Sequence, residues 1–528
     1  MKELNQEQKN AVEKIKNGGN FVILGQAGTG KTTLLRHLRE IYPDAVVVAP
    51  TGNAARLIEG TTISSFFRVP PFPYITDSVL EAISSKKVRK SIAAIRTLII
   101  DEISMVRPDI FAAIDWRLRQ YGPDGCGLLP FGGRRIILCG DFFQLGPVIT
   151  NDTVGGLSVG EILERDLGGF YAFCTPLWGQ AKIHPIYLHS NMRQNQDQDF
   201  KSCLNAFRSR DPQCRQEALA LLNRRVKPDI PEDAIYLCPR KAEADTINAR
   251  EIAKLRTEEK VFHAVIRGCY EKDFPVEPEI KLKRGQKVVI AANISDQIVN
   301  GTSGVVSDFL QDGISVQLDG GNEVMIAPYA FKKYSYRVVH DPVTGEDRNV
   351  PFEVGRFQQL PVLPGYALTI HKAQGMTLKT VALNRGKGCF AHGQCYVGVS
   401  RVRRLDDLYL TAPLEISDII VDPEVLQADV VFRDDRALWK DCVVERLKKL
   451  KSEERDYISA LEDWGSAILK EIVDEYDARF DAGELVIPET KTDQKLDFLC
   501  WQLFQVHTGQ KKYSLNGVFK ELLSFLKL

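Results

Sequence analysis

The octet Gly25-Gln26-Ala27-Gly28-Thr29-Gly30-Lys31-Thr32 constrains this chain more than any other stretch. It follows an apolar run, Phe21 to Leu24, that reads as a buried strand, and it opens a helical pattern from Lys31 to Arg39. Strand, glycine-rich loop and helix in that order make a phosphate cradle. The glycines let backbone N–H groups close around phosphate oxygens, and the helix N-terminus adds a favourable dipole. The expected nucleotide contacts are Gly25, Ala27, Gly28, Thr29, Gly30, Lys31, Thr32 and Thr33. Lys31 is expected to reach the β- and γ-phosphates of ATP, and Thr32 to ligate Mg²⁺.

The surrounding pattern is α/β. Val46 to Ala49, Leu98 to Ile100 and Ile136 to Cys139 are further strand-like runs separated by helical stretches, which implies a parallel sheet flanked by helices. Residues 1–180 are read as a first α/β domain, with a small insertion at about 64–92 that contains the Pro-rich RVPPFPYITD and is read as a wedge. A second α/β block has a strand at Ala234 to Leu237 and a helix from Lys241 to about Lys254. Between residues 279 and 352, Asn300-Gly301, Asp312-Gly313 and Gly320-Gly321 mark hairpins and suggest a small antiparallel barrel. The second block is therefore read as 181–278 joined to 353–425, and 426–528 as a helical extension in which Trp464, Trp501 and Phe504 pack.

Two carboxylates, Asp101 and Glu102, end the apolar run Leu98-Ile99-Ile100. Asp101 suits a Mg²⁺ ligand, and Glu102 suits the base that orients and deprotonates the attacking water. Gln144, in Gly140-Asp141-Phe142-Phe143-Gln144-Leu145, ends another strand; its amide reads a γ-phosphate without carrying charge. Arg193 and Arg401 lie in the second block, where an arginine finger would couple hydrolysis to domain closure.

Formal net charge is zero, so a nucleic-acid path must be a local lining and not a global field. Eleven cysteines occur without a Cys-x-x-Cys pair, which argues against a disulfide framework or zinc module. Cys389, His392 and Cys395 come nearest to a metal set but lack a fourth ligand. No run is apolar enough to span a bilayer and the N-terminal stretch is polar, so a soluble intracellular protein is expected, cytoplasmic if bacterial or viral, nuclear or mitochondrial if eukaryotic.

Taken together these residues resemble superfamily one helicases of the Pif and RecD-like group. Leu4 to Gln8 is similar to the adenine-reading element, with Gln8 on the base. Ala49 to Ala55 resembles motif Ia, and Pro130-Phe131-Gly132-Gly133 running into Gly140 to Leu145 resembles the Pif signature and motif III. Arg193-Gln194 resembles motif IV, Leu368 to Thr377 motif V with Gly375, and Gly393 to Arg401 motif VI, where Cys395 takes an ordinary helix position. The resemblance covers residues 1–412 and implies two RecA-like P-loop domains with ATP between them. It also implies a β-barrel inserted in the second, single-stranded DNA across both, and movement from 5′ to 3′. Two positions depart from the pattern: Ser64 replaces a histidine, and Gly146 replaces a second proline.

A strand grip that ignores sequence needs phosphate contacts and stacking. Candidates are Pro50, Thr51, Asn53, Phe66 and Phe67 in the first domain and Thr369, His371 and Lys372 in the second. Phe66 and Phe67 fit a core equally well. The stretch from Lys372 to Arg404, with Lys379, Arg385, Lys387, Arg403 and Arg404, supplies the local basic lining. The resulting expectation is a monomeric motor on single-stranded, forked or tailed DNA. An RNA or hybrid helicase, or an ATP-switched subunit of a repair complex, remains open on the residues. Lys31→Ala is expected to abolish ATP hydrolysis in a protein that still folds; near-normal ATPase activity in a folded variant would refute the P-loop assignment.

Overall fold

The computed structural model describes the chain except residues 1–2, 81–82, 123–124, 191–196, 269–273, 296, 343, 434–435, 453–456, 482–493, 509–513 and 526–528. It divides into two compact units, residues 1–186 with 191–422, and residues 187–190 with 423–528.

The first unit holds two parallel sheets. In one, β1 (Asn20–Gly25), β2 (Val46–Ala49), β3 (Thr61–Thr62), β4 (Thr97–Ile100) and β5 (Arg135–Gly140) stand in the order β3-β2-β4-β5-β1, with the strand beginning at Ile183 beyond β1. β2 and β4 are buried along their whole length, which is why they read as continuous apolar runs and not as alternating ones. The helix Gln6–Lys16 starts on a capping box, in which the Asn5 side chain accepts from the Gln8 backbone and the Gln8 side chain answers it. The second parallel sheet runs in the order Ala367–Thr369, Ile235–Cys238, Val381–Leu383, Leu408–Leu410. As parallel strands demand, the chain leaves each sheet at the C-terminal ends, where ligands of such folds bind.

Between Ile235–Cys238 and Ala367–Thr369, residues 259–364 form antiparallel sheets of two, three and five strands. The expected turns are present: Gly313, at φ +156, and Gly321, at φ +90, close successive hairpins of the five-stranded sheet. The stretch begins before residue 279 and continues past 352 because Glu259–His263 and Val265–Gly268 pair with strands distant in sequence, without a local turn signal. Its longest hairpin, Tyr329–His340 with Asp347–Gln359, docks on the first sheet. The Tyr336 hydroxyl accepts from Val47 N at 2.9 Å, and buried Asn349 donates to Ser91 O at 2.8 Å. Ser91 lies on the helix Lys86–Ala93, so the segment read as a wedge carries part of this dock.

In the other unit, the helices Pro423–Phe432, Arg436–Ser452, Tyr457–Asp481, Gln494–Thr508 and Leu515–Phe525 enclose a core of Leu438, Trp439, Val443, Ile472, Tyr476, Leu503, Phe504 and Phe519. Trp439 is the centre: its indole N–H donates to Cys500 O at 2.9 Å and its ring meets Tyr476 edge-on. Phe504 is buried and Trp501 half-buried, as expected of packing residues, whereas the Trp464 side chain lies outside those described. Trp439→Ala should destabilise this bundle by about 3–5 kcal/mol, read as a lower urea midpoint by circular dichroism; an unchanged midpoint would contradict the packing.

Candidate active site between the two parallel sheets

A cavity of about 320 Å³ opens where the two sheets face each other. Ala27, Gly28, Gly30, Lys31, Thr32, Glu102 and Gln144 line it from the first sheet's loops, and Gly375, Thr377, Arg401 and Arg403 from the second. Nine residues expected from the sequence thus converge on one space, while Gln8, Gly25, Thr29, Thr33 and Asp101 are outside its lining. Thr377 was not foreseen. Arg403, expected on a DNA lining, faces this cavity instead, because the turn after the helix Gln394–Val399 brings it beside Arg401. Arg193 lies outside the described residues.

The loop after β1 is held from two sides. Lys31 Nζ donates to Gly25 O at 2.7 Å and Gln26 O at 3.0 Å, spanning the cradle it is expected to fill with phosphate. The Gln8 amide donates to Thr29 O at 3.4 Å and Gly30 O at 3.2 Å from behind. At Gly30, φ is +80, a conformation that favours glycine, and a Cβ would lie 2.5 Å from Gln8 Nε2, so a side chain there would displace the Gln8 amide.

Asp101 and Glu102 follow β4. Asp101 Oδ1 accepts from Glu102 N at 2.9 Å, and burial raises its carboxyl pKa against the pull of its backbone hydrogen bond and of Lys31. Glu102 adopts a left-handed conformation, φ 51 and ψ 47, which is strained for a residue with a side chain. Burial first, and then the Asp101 charge, push its carboxyl up to about 7, with Lys31 opposing. Thr32 and Glu102 share the cavity and Asp101 adjoins Glu102, a hard, oxygen-only set of side chains that suits Mg²⁺.

Gln144 is buried, and its amide donates to Asp141 Oδ2 at 3.1 Å. Burial alone would raise the Asp141 carboxyl; the Arg208 guanidinium at 2.8 Å, then Lys31, outweigh it and hold the pKa below the ordinary value. Arg208 had no sequence signal apart from lying in a helical, charged stretch. Arg401 is buried, with Nε donating to Val397 O at 2.7 Å and Nη2 to Ser400 Oγ at 2.7 Å, and its charge reaches Glu102.

The residues expected to grip a strand divide sharply. Thr51 caps the helix Gly52–Leu57 after β2, accepting from Ala54 N at 3.2 Å. Thr369 caps Ile370–Ala373 after its own strand, accepting from Lys372 N at 3.2 Å. The two sheets thus present the same strand–threonine–helix device, with Pro50 half-buried and Asn53, His371 and Lys372 exposed beside it. Phe66 and Phe67 are a correction: both are buried, Phe67 completely, and Phe66 packs edge-on against Tyr336, so neither ring is open to a base. The Gly146 departure has a local cause, since a Cβ there would lie 2.8 Å from the Tyr171 hydroxyl. His392 Nδ1 accepts from Asp422 N at 2.9 Å, so Nε2 carries the proton and donates to Phe142 O at 2.6 Å. With both nitrogens engaged, the ring has none to offer a metal.

The family model described as PIF1-like helicase matches residues 3–210. The ATP-dependent DNA helicase Pif1 of Bdellovibrio bacteriovorus is 31% identical over 80% of this chain and 91% of its own length. The chain belongs to the Pif1-like helicase family. The ATP-dependent DNA helicase PIF6 of Trypanosoma brucei brucei is 32% identical over 78% of this chain, which spans only 52% of that longer protein. Among solved structures, Bacteroides sp Pif1 in complex with ADP-AlF4 superposes with a TM-score of 0.72 at 28% identity, covering 82% of this chain and 98% of that one. Candida albicans Pif1 does so with a TM-score of 0.59 at 26% identity, over 81% and 99%. The α/β architecture with two RecA-like domains is therefore that of the Pif1-like helicases. Among the described residues no helix is long and apolar enough to cross a membrane.

Glu102→Gln should still bind ATP and Mg²⁺ while hydrolysing at least about 10²-fold more slowly, the loss expected for a general base. Weakened nucleotide affinity with unchanged turnover of bound ATP would make Glu102 a ligand and remove it as the base.

Proposed function

We propose that this chain is an ATP-dependent DNA helicase that moves 5′ to 3′ on single-stranded DNA and unwinds forked or tailed duplex as a monomeric motor. The observation that carries the proposal is the shared cavity: Lys31, Glu102 and Gln144 reach it from one sheet, Gly375 and Arg401 from the other. The relatives named as DNA helicases, and a Bacteroides Pif1 bound to single-stranded DNA with 29% identity and a TM-score of 0.57, support the choice of DNA. Direction of movement follows the family resemblance.

In this reading Lys31 leaves the Gly25 and Gln26 carbonyls for the β- and γ-phosphates, and Gln8 holds the adenine. Thr32 and Asp101 would hold Mg²⁺, which would supply positive charge to the phosphate oxygens. Glu102, already poised near neutrality by burial, takes the proton of the attacking water. Gln144 senses the γ-phosphate, and Arg401 with Arg193 neutralises the charge that develops on it. Because these groups come from both sheets, only a closed cleft is competent. Thr51 and Asn53 on one sheet and Thr369, His371 and Lys372 on the other hold phosphates of one strand, so closure and reopening advance the grip.

The domain partition that goes with this reading is 1–180, 181–278 with 353–425, an inserted small barrel at 279–352, and a helical extension from 426. The antiparallel strands support an insertion there, with wider bounds of about 259–364, and the separate C-terminal unit supports the extension.

Single-stranded DNA should raise the ATPase rate strongly, because a strand lying across both sheets favours closure. Its affinity should fall with salt by a log–log slope of about −0.7 per neutralised phosphate, and Lys372→Ala should make that slope shallower by about one contact for all sequences alike. An ATPase indifferent to DNA, or a slope unchanged by Lys372→Ala, would remove the strand from this surface.

A further inference from the structure

We propose that Arg208 and Tyr396 are positioning residues that transmit the placement of the second sheet's domain to the Gln144 amide and the phosphate loop. The inference rests on the reading of Gln144 as the γ-phosphate sensor and adds how that sensor is aimed.

Gln144 Nε2 donates to one oxygen of Asp141, at 3.1 Å, and Arg208 Nη1 donates to the other, at 2.8 Å. The Asp141 side chain is fully buried and that of Arg208 is 7% exposed, so neither has bulk water as a substitute partner. The guanidinium also lies 4.2 Å over the Phe143 ring. Tyr396, buried on the helix Gln394–Val399, has its hydroxyl hydrogen-bonded both to Arg208 and to the backbone of Ala27 in the phosphate loop. The chain of contacts therefore runs Gln144, Asp141, Arg208, Tyr396, Ala27. Its two ends line the nucleotide cavity, Asp141 belongs to the first sheet, and Arg208 and Tyr396 come from beyond residue 197. Next to it, Gly393 presses so closely on the backbone of Phe143 and Gln144 that a Cβ would stand 2.3 Å from Gln144 O.

The physics of the pair makes it a relay. A buried carboxylate that loses its guanidinium is strongly destabilised, so Asp141 must turn or take another partner when Arg208 withdraws. Asp141 is also the acceptor that fixes the Gln144 amide. Movement of the second domain away from the first thus releases the sensor, and its return re-aims it.

The test is a double-mutant cycle on steady-state ATPase with saturating single-stranded DNA. Lysine retains the charge of Arg208 but not the planar fork, so it cannot hold Asp141, Tyr396 and the Phe143 face together. Arg208→Lys should lower kcat by about tenfold or more with KM for ATP within about twofold. In a Gln144→Ala background the same substitution should cost less than about twofold, because the group it aims is gone. A full tenfold loss in both backgrounds would overturn the relay while leaving the sensor in place. An unchanged kcat in Gln144→Ala itself would overturn the sensor reading and the relay with it. Tyr396→Phe removes a single hydroxyl and should lower kcat with the same dependence on Gln144. It carries the test if thermal melting shows that Arg208→Lys does not fold, and an equal loss in both backgrounds would again overturn the proposal.

Discussion

Three carboxylates, the buried Asp101 and Asp141 and the half-buried Glu102, stand at the ends of neighbouring parallel strands, and the site depends on how their charge is met. Desolvation of that much negative charge is costly unless cations stand close by. Lys31 acts on all three, Arg208 pairs with Asp141, and Arg401 acts on Glu102. These cations arrive from three separate parts of the chain. In the proposed mechanism the first sheet therefore completes its electrostatics with the second sheet's domain against it, which ties chemistry to domain closure. The unequal balance fits the proposed roles. Asp141, well paired, stays ionised as a structural acceptor, while Glu102, poorly paired and strained, is left near neutrality where a base works best.

The same dependence between distant segments appears in the hairpin Tyr329–Gln359. It belongs to the stretch inserted in the second sheet, yet its Tyr336 hydroxyl takes the backbone N–H of Val47 on the first. Asn349 closes the other end on Ser91. Val47 lies three residues before Pro50, at the start of the segment assigned to strand grip. The insertion, the first sheet and the grip are thus mechanically joined, and a shift of the hairpin is felt where DNA is expected to lie.

Local signals carried most of the first sheet and its site. The P-loop, Asp101-Glu102 and Gln144 each follow an apolar run, so their place at strand ends was legible from periodicity and chemistry alone. Long-range pairing was not. Nothing local in Tyr336 or Asn349 announces a contact across more than two hundred residues, and the antiparallel stretch extends beyond its turn signals for the same reason. Arg208 looks like one more charge on a polar helix end; its importance comes from an aspartate sixty-seven residues away. Phe66 and Phe67 show the opposite failure: exposed stacking rings and core rings have the same sequence appearance, and only the Tyr336 contact decides between them. Arg403 was misplaced because a basic run along the chain need not share one face.

In the proposed mechanism, nucleotide-driven closure of the two sheets moves the protein along a DNA strand. Unwinding of matched duplexes bearing a 5′ or a 3′ single-stranded tail, of DNA or of RNA, measures this most directly. With ATP and Mg²⁺, the 5′-tailed DNA substrate should be unwound and the 3′-tailed and RNA-tailed substrates left largely intact. Robust ATP hydrolysis with no strand separation on any substrate, or preference for the 3′ or RNA tail, would contradict the account.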